Sequence, residues 1–239
     1  MRVVLTALLL VLLGAFPTAA FEGKPKLGPD AVPVTEASDY LRRSPAPDYW
    51  KLSAFYLPQA TSSACSVASV AMALNFLRGL PPGAEDELVT QAGLLEAVAD
   101  PTWAAKGAEE GEGVLFEELV QAMRKGLDAY GIEGAVVETF EPGQGGPDTL
   151  ARLRAILAAN EANDHDVVLA YFNQGVLTGD WDGPHISPIG AFDAGTGHVL
   201  VMDVDRAWYV PYWSTDAKLL EAMLRPAPEE HGPLAGETG

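Results

Sequence analysis

Apolar residues recur at helical spacing in the first half of this chain, whereas the second half contains continuous apolar runs. Two helical faces stand out: Val67, Val70, Ala71, Leu74 and Leu77, then Phe116, Leu119, Val120, Met123 and Leu127. Residues 135–140 predict a short strand, and the runs 185–192 and 198–204 predict adjacent strands. Helices followed by a group of strands are typical of an α+β protein with an antiparallel sheet.

The charge balance is strongly acidic. Among 239 residues, 33 are Asp or Glu and 15 are Lys or Arg, which gives a formal net charge of -18. Such a chain repels phosphate backbones and anionic lipid, which argues against nucleic-acid binding and against docking on a membrane surface. The apolar fraction of 48% is sufficient for one globular core.

The N-terminus predicts a signal peptide spanning residues 1–20. Arg2 precedes an apolar run of about a dozen residues, and small residues follow Pro17. We therefore expect an exported protein, periplasmic or secreted, without a transmembrane segment after cleavage; a retained anchor is the alternative. Beyond the leader, we expect an extended arm at 21–48, a catalytic domain at 49–224 and a flexible tail at 225–239.

Cys65 is the single cysteine of the chain and lies in the first turn of the helix predicted around residues 67–77. The capping-type residues Thr61, Ser62 and Ser63 precede it. A helix N-terminus stabilises a thiolate relative to a thiol, and its free N–H groups can bind an oxyanion. Two interpretations remain at this point: a nucleophile, or a small residue packed in the core.

His185 and Asp203 are the best candidates to activate that thiol. A three-residue hairpin loop at 193–195 would place Phe192 opposite Thr196, and the same register would place His185 opposite Asp203. Asp203 also interrupts an apolar run, where a buried carboxylate requires a partner. The alternative is that His185 merely caps a strand.

A cysteine, a histidine and an aspartate that orients the histidine form a nucleophilic triad. Such a site also needs a donor for the oxyanion. Gln59 lies six residues before Cys65, and its side-chain amide could serve together with the Cys65 backbone N–H.

The residues around these positions resemble the phytochelatin synthases, a papain-like cysteine peptidase family. The segments that carry the resemblance are Gln59 and Cys65 with Val67-Ala68-Ser69 and Leu74-Asn75, His185-Ile186-Ser187-Pro188, and Val201-Met202-Asp203-Val204 with Arg206, Pro211 and Trp213. The chain departs from the family pattern at Ala64-Cys65-Ser66 and at Gly183-Pro184, which flank the predicted nucleophile and base.

The resemblance implies a papain-like fold, with a helical lobe carrying Cys65 packed on a sheet lobe carrying His185 and Asp203. It implies cleavage of the Cys–Gly bond of glutathione through a γ-glutamylcysteinyl thioester, followed by hydrolysis or by transfer to a second glutathione to give phytochelatin. The expected substrates are glutathione and related γ-glutamyl thiol peptides. The residues predicted to contact them are Ser66, Gly183, Ile186 and Arg206.

No cofactor and no resident metal site are expected, and heavy-metal ions would enter as glutathione thiolate complexes. A homodimer is the alternative to a monomer. Two other functions remain open: an exported papain-like peptidase or amidase that acts on leader peptides or peptidoglycan, and a non-enzymatic periplasmic metal-binding module.

Overall fold

A five-stranded antiparallel sheet dominates the second half of the protein in the computed structural model, which describes residues 24–225. The strands are β1 (Val32–Pro33), β2 (Leu169–Asn173), β3 (Pro184–Asp193), β4 (His198–Val201) and β5 (Tyr212–Thr215). Their order across the sheet is β1-β5-β4-β3-β2. The predicted signal peptide, and the predicted tail beyond residue 225, lie outside the described residues.

Nine helices occur within residues 24–225. They are α1 (Asp39–Arg43), α2 (Pro47–Ala54), α3 (Cys65–Arg78), α4 (Gln91–Val98), α5 (Pro101–Lys106), α6 (Phe116–Ala129), α7 (Pro147–Glu161), α8 (Gln174–Thr178) and α9 (Asp216–Leu224). The predicted α+β class is therefore confirmed, whereas the strand predicted at 135–140 is not formed. None of the helices between residues 24 and 225 is long and apolar enough to cross a membrane.

The prediction of an extended arm at 21–48 is wrong where helices form in its described part. Residues 32–33 form β1 against β5, and residues 39–43 form α1. Leu41 and Ala46 are buried, and the indole N–H of Trp213 donates to the Ala37 carbonyl at 2.7 Å. The apolar residues of this segment are too sparse to show a period, yet Leu41 and Ala46 pack in a cluster with residues of α3 and of the sheet.

Helices cover both faces of the sheet. Along β4, Val199 and Val201 pack towards α7 and α9, whereas Leu200 and the following Met202 pack towards α3. This alternation follows from the two-residue period of a strand. Because both faces are buried, β3 and β4 have continuous apolar sequences.

The hairpin between β3 and β4 has a different register from the predicted one. Phe192 pairs with Val199, and a bulge at Gly190 shifts the pairing between Ile189 and Ala191. The turn is longer than predicted because the Asp193 carboxylate accepts hydrogen bonds from the Gly195 N–H at 3.0 Å and the Thr196 hydroxyl at 2.7 Å. His185 is therefore not opposite Asp203 in the ladder.

The central helix of the first half is α3, which is buried from Ser66 to Phe76. Asn75 makes two hydrogen bonds from this helix to the backbone of Val89: its amide donates to the carbonyl at 2.9 Å, and its oxygen accepts the N–H at 2.8 Å. Both residues are almost fully buried. Asn75 thus provides the two hydrogen bonds that a neighbouring strand would otherwise provide for the backbone of Val89. These bonds fix the segment that leads into α4.

Replacing Asn75 with Ala should lower the free energy of unfolding by roughly 2–4 kcal/mol, because two buried backbone groups would each lose their partner. Urea unfolding measures the effect. Asn163→Ala is the matched control, since Asn163 also makes two hydrogen bonds to the backbone, to the Ala159 carbonyl and from the His165 N–H, but both are exposed; it should change stability by less than about 1 kcal/mol. Equal effects in the two variants would contradict the assigned role of Asn75.

Candidate active site

Cys65 is the first residue of α3, as the sequence predicts. The N-cap is Ala64, and no side chain caps the helix. The preceding hydroxyls hold a neighbouring loop instead: Thr61 donates to the Gly107 carbonyl and Ser63 to the Gly111 carbonyl, both at 2.6 Å. The start of α3 thus keeps its backbone N–H groups uncapped by side chains, which suits binding of a negative charge.

A hydrogen bond from Ser69 sets the position of α3 on the sheet. The Ser69 hydroxyl, one turn after Cys65, donates to the Ile186 carbonyl at 3.0 Å, and both residues are buried. Ile186 directly follows His185 on β3. The contact therefore fixes the first turn of α3 beside the beginning of the strand that carries the histidine.

The structure brings His185 and Asp203 together in the protein interior. Nε2 of His185 lies 3.0 Å from Oδ1 of Asp203, and both side chains are almost fully buried. Burial alone would lower the pKa of His185. The charge of Asp203 and its hydrogen bond outweigh burial, and Cys65 acts in the same direction, so the pKa rises from 6.5 to about 10. Since Asp203 occupies Nε2, Nδ1 is the nitrogen left to exchange a proton with the Cys65 thiol.

Asp203 reaches the histidine from the loop after β4 and not by cross-strand pairing. Its neighbours hold it there: the Met202 N–H donates to the Pro188 carbonyl at 2.8 Å, and the Val204 N–H donates to the Ser187 hydroxyl at 3.3 Å. The hydroxyl of Tyr56 donates to the Asp203 carbonyl. The predicted contact is present, but the predicted register that led to it is wrong.

Gln174 is a component of the site that the sequence analysis missed. Its amide donates to Oδ2 of Asp203 at 2.8 Å, and its oxygen accepts from the hydroxyl of Tyr212 at 3.3 Å. Burial raises the pKa of Asp203, but the His185 charge and the hydrogen bonds from His185, Gln174 and the Asp205 N–H outweigh it and lower the pKa. The polar pair Asn173-Gln174 at the end of an apolar strand is the sequence feature that could have indicated this residue.

Gln59 lies at the cleft beside the start of α3. Its backbone N–H donates to the Val204 carbonyl at 2.8 Å, which ties the incoming loop to the segment after Asp203. Its side-chain amide makes a long hydrogen bond of 3.4 Å to the Ser62 carbonyl, and its buried oxygen has no partner among the described residues. The side chain is thus held loosely enough to reorient towards an oxyanion.

Of the four residues predicted to contact substrate, Ile186 lines the cleft and the other three do not. Ser66 is buried and accepts a hydrogen bond from the Trp103 indole at 3.0 Å. Gly183 lies under the ring of Trp181, where a Cβ would come within 2.3 Å of the ring. Arg206 stacks on Tyr56, with its guanidinium 4.9 Å from the ring centre. The cleft lining therefore gives no support for substrate contacts by these three residues.

Cys65 and His185 line an open cleft of about 790 Å³ between the two halves of the protein. One wall is the loop from Glu109 to Val114, and the other combines Asp180, Trp181, Asp205, Trp208 and Tyr209. The floor includes Tyr171, Gln174 and Ile186. A cysteine sulfur, an imidazole held by a carboxylate and uncapped N–H groups at one end of such a cleft are suited to acyl transfer.

The sequence matches the family model described as phytochelatin synthase over residues 31–231. The chain belongs to the phytochelatin synthase family. The matched region includes Gln59, Cys65, His185 and Asp203.

Two similar plant proteins illustrate the relationship. Glutathione gamma-glutamylcysteinyltransferase 2 of Arabidopsis thaliana is 24% identical over 218 residues, which cover 87% of this chain and 41% of that protein. Glutathione gamma-glutamylcysteinyltransferase 3 of Lotus japonicus is 25% identical over 186 residues, which cover 73% and 34%. This member of the phytochelatin synthase family thus spans about a third to two fifths of the length of these relatives.

The raised pKa of His185 predicts a pH-dependent contribution to stability. Because the folded-state pKa lies above 6.5, the imidazolium stabilises the fold fully below about pH 6.5 and loses this effect as the pH rises towards about 10. Between these values the wild type should lose up to about 1.4 kcal/mol per pH unit relative to His185→Gln in urea unfolding. His198→Gln is the control histidine outside the site; parallel curves for wild type and His185→Gln would refute the assignment.

Proposed function

We propose that the protein cleaves the Cys–Gly bond of glutathione by a cysteine-dependent mechanism. The observation that carries the proposal is the group Cys65, His185 and Asp203 at one end of the cleft, in a chain of the phytochelatin synthase family. Its relatives named glutathione gamma-glutamylcysteinyltransferases support glutathione as the substrate.

In the first step, the proton of the Cys65 thiol lies on Nδ1 of His185, in keeping with the raised pKa of the imidazole, and the Cys65 thiolate attacks the carbonyl carbon of the substrate's cysteine. The Cys65 N–H and the Gln59 amide would stabilise the resulting oxyanion. The C–N bond then breaks, and glycine leaves as its amine with the proton from His185. A γ-glutamylcysteinyl thioester remains on Cys65.

The thioester has two fates. Attack by water gives γ-glutamylcysteine and restores the thiol. Attack by the amine of a second glutathione gives a phytochelatin. In both cases His185 acts as the base for the incoming nucleophile, and Asp203 keeps its ring oriented throughout.

We also propose that the lobes have a papain-like arrangement. A buried helix that carries the nucleophile at its N-terminus packs against an antiparallel sheet that carries the histidine, with α3 joined to β3 through Ser69. In this arrangement the nucleophile Cys65 and its base His185 come from separate lobes, and the substrate would lie between the lobes.

Heavy-metal ions would arrive bound to glutathione thiols and not as a resident cofactor. Export would follow from cleavage of the signal peptide proposed at residues 1–20, which would place the enzyme in the periplasm or outside the cell.

Incubation of the purified protein with glutathione should release free glycine, detected by mass spectrometry. Cys65→Ala and His185→Ala should each reduce the rate at least roughly 10³-fold, because the nucleophile or its base is lost. Mass spectrometry of the wild type quenched in acid should detect the γ-glutamylcysteinyl adduct on Cys65. Absence of glycine release from the wild type would refute the proposed substrate.

Gln59→Ala should lower kcat roughly 10²- to 10³-fold with a smaller effect on KM, because the amide acts on the oxyanion and not on the ground state. Gln121→Ala, an exposed glutamine on α6, is the matched control and should leave both constants unchanged. If Gln59→Ala raised KM and left kcat intact, Gln59 would be a substrate-binding residue only.

A further inference from the structure

The cleft that holds Cys65 is lined by four carboxylates. Glu109 and Glu112 lie on the wall from the helical half, and Asp180 and Asp205 lie on the opposite wall. Lys and Arg are absent from the cleft lining in the part of the chain that the structure describes. Glutathione itself carries two carboxylates and one ammonium group, so its net charge opposes binding there.

The acidic loop is attached directly to the nucleophile segment. A carboxylate oxygen of Glu109 accepts the Ser62 N–H at 3.1 Å, and the Glu110 N–H donates to the Ser62 hydroxyl at 2.9 Å. Ser62 is three residues before Cys65. These contacts fix the negative charge of Glu109 close to any substrate that is bound at the thiol.

The two walls differ in how their charges are balanced. On the sheet side, Lys24 pairs with Asp180 at 3.2 Å, and Lys26 stacks on Trp208 at 4.2 Å from the ring centre. On the helical side, Lys106 is engaged by Glu118 at 2.6 Å. Glu109 and Glu112 form no ion pair with any residue between 24 and 225, so their charge acts on the substrate.

We propose that these carboxylates make the protein select γ-glutamylcysteinyl peptides whose leaving amine carries no carboxylate, glycinamide in preference to glycine. This inference rests on the proposed function and specifies its substrate class. Like charges within a cleft repel by an amount that falls with dielectric screening and with salt. Neutralising the terminal carboxylate removes this repulsion and leaves the reacting bond unchanged.

The chemistry is the acyl transfer already described. The Cys65 sulfur attacks the cysteine carbonyl carbon of glutathione amide, the C–N bond breaks, and glycinamide leaves with the proton from His185. Water then hydrolyses the thioester. The net reaction is glutathione amide plus water giving γ-glutamylcysteine plus glycinamide, and it needs no oxidant or reductant.

The test compares kcat/KM for glutathione and for glutathione amide with the full-length wild type. We expect a preference for the amide on the order of tenfold at low ionic strength, and a smaller preference at about 1 M salt, where charges are screened within about 3 Å. The double variant Glu109→Gln/Glu112→Gln should reduce the preference mainly by raising kcat/KM for glutathione. Glu36→Gln/Glu87→Gln, exposed positions outside the cleft lining, is the matched control and should keep the preference.

The outcomes distinguish a failure of the proposed function from a failure of the proposed substrate preference. Release of neither glycine nor glycinamide would overturn the proposed function. Release of both amines with equal kcat/KM, or a preference for glutathione, would overturn the inference and leave the function intact. An equal loss of activity on both substrates in the double variant would also overturn it, because the carboxylates would then bind the ammonium group that both substrates share.

Discussion

The buried carboxylate of Asp203 is the constraint on which the arrangement of the site depends. An ionised carboxylate removed from water requires several hydrogen-bond donors. Here the donors come from separate parts of the chain: His185 on β3, Gln174 on α8 and the backbone of Asp205, while Tyr56 before α3 binds the Asp203 carbonyl. Removing any of the three carboxylate donors would leave a buried charge short of a partner. The hydrogen bond from Tyr56 to the backbone of Asp203 ties the segment before α3 to this group.

The pairing of His185 with Asp203 could be predicted because a carboxylate in an apolar run must find a partner. That argument depends on local sequence and burial alone. The register argument failed because it depends on the turn length and on the bulge at Gly190, and neither has a clear sequence signal. At residue 190 a Cβ would lie 2.7 Å from Met202, which shows why glycine is needed there only after the packing is known.

The angular spacing of side chains around a helix explains why Ser66, next to the nucleophile in sequence, does not line the cleft. Cys65 opens α3 and faces the cleft, but successive helical residues point about 100° apart, and Ser66 therefore points to Trp103 in the interior. Sequence adjacency to a catalytic position does not place a side chain in the site. Gln174 shows the converse, because it is far from Asp203 in sequence and contacts it through a short helix that the sequence patterns did not predict.

The net charge of -18 does not by itself determine the charge that a ligand meets in the cleft. That charge depends on which acidic residues of the cleft have a basic residue nearby. Acidic residues on the sheet wall of the cleft have Lys24 and Lys26 nearby, which lowers their effect on a ligand. On the helical wall, Lys106 completes the first turn of α6 through Glu118, whose carboxylate also accepts the Leu115 N–H at 2.9 Å. The carboxylate that caps α6 thus engages Lys106, a cation three residues before Glu109, and a requirement of helix stability leaves the charge of this wall unbalanced.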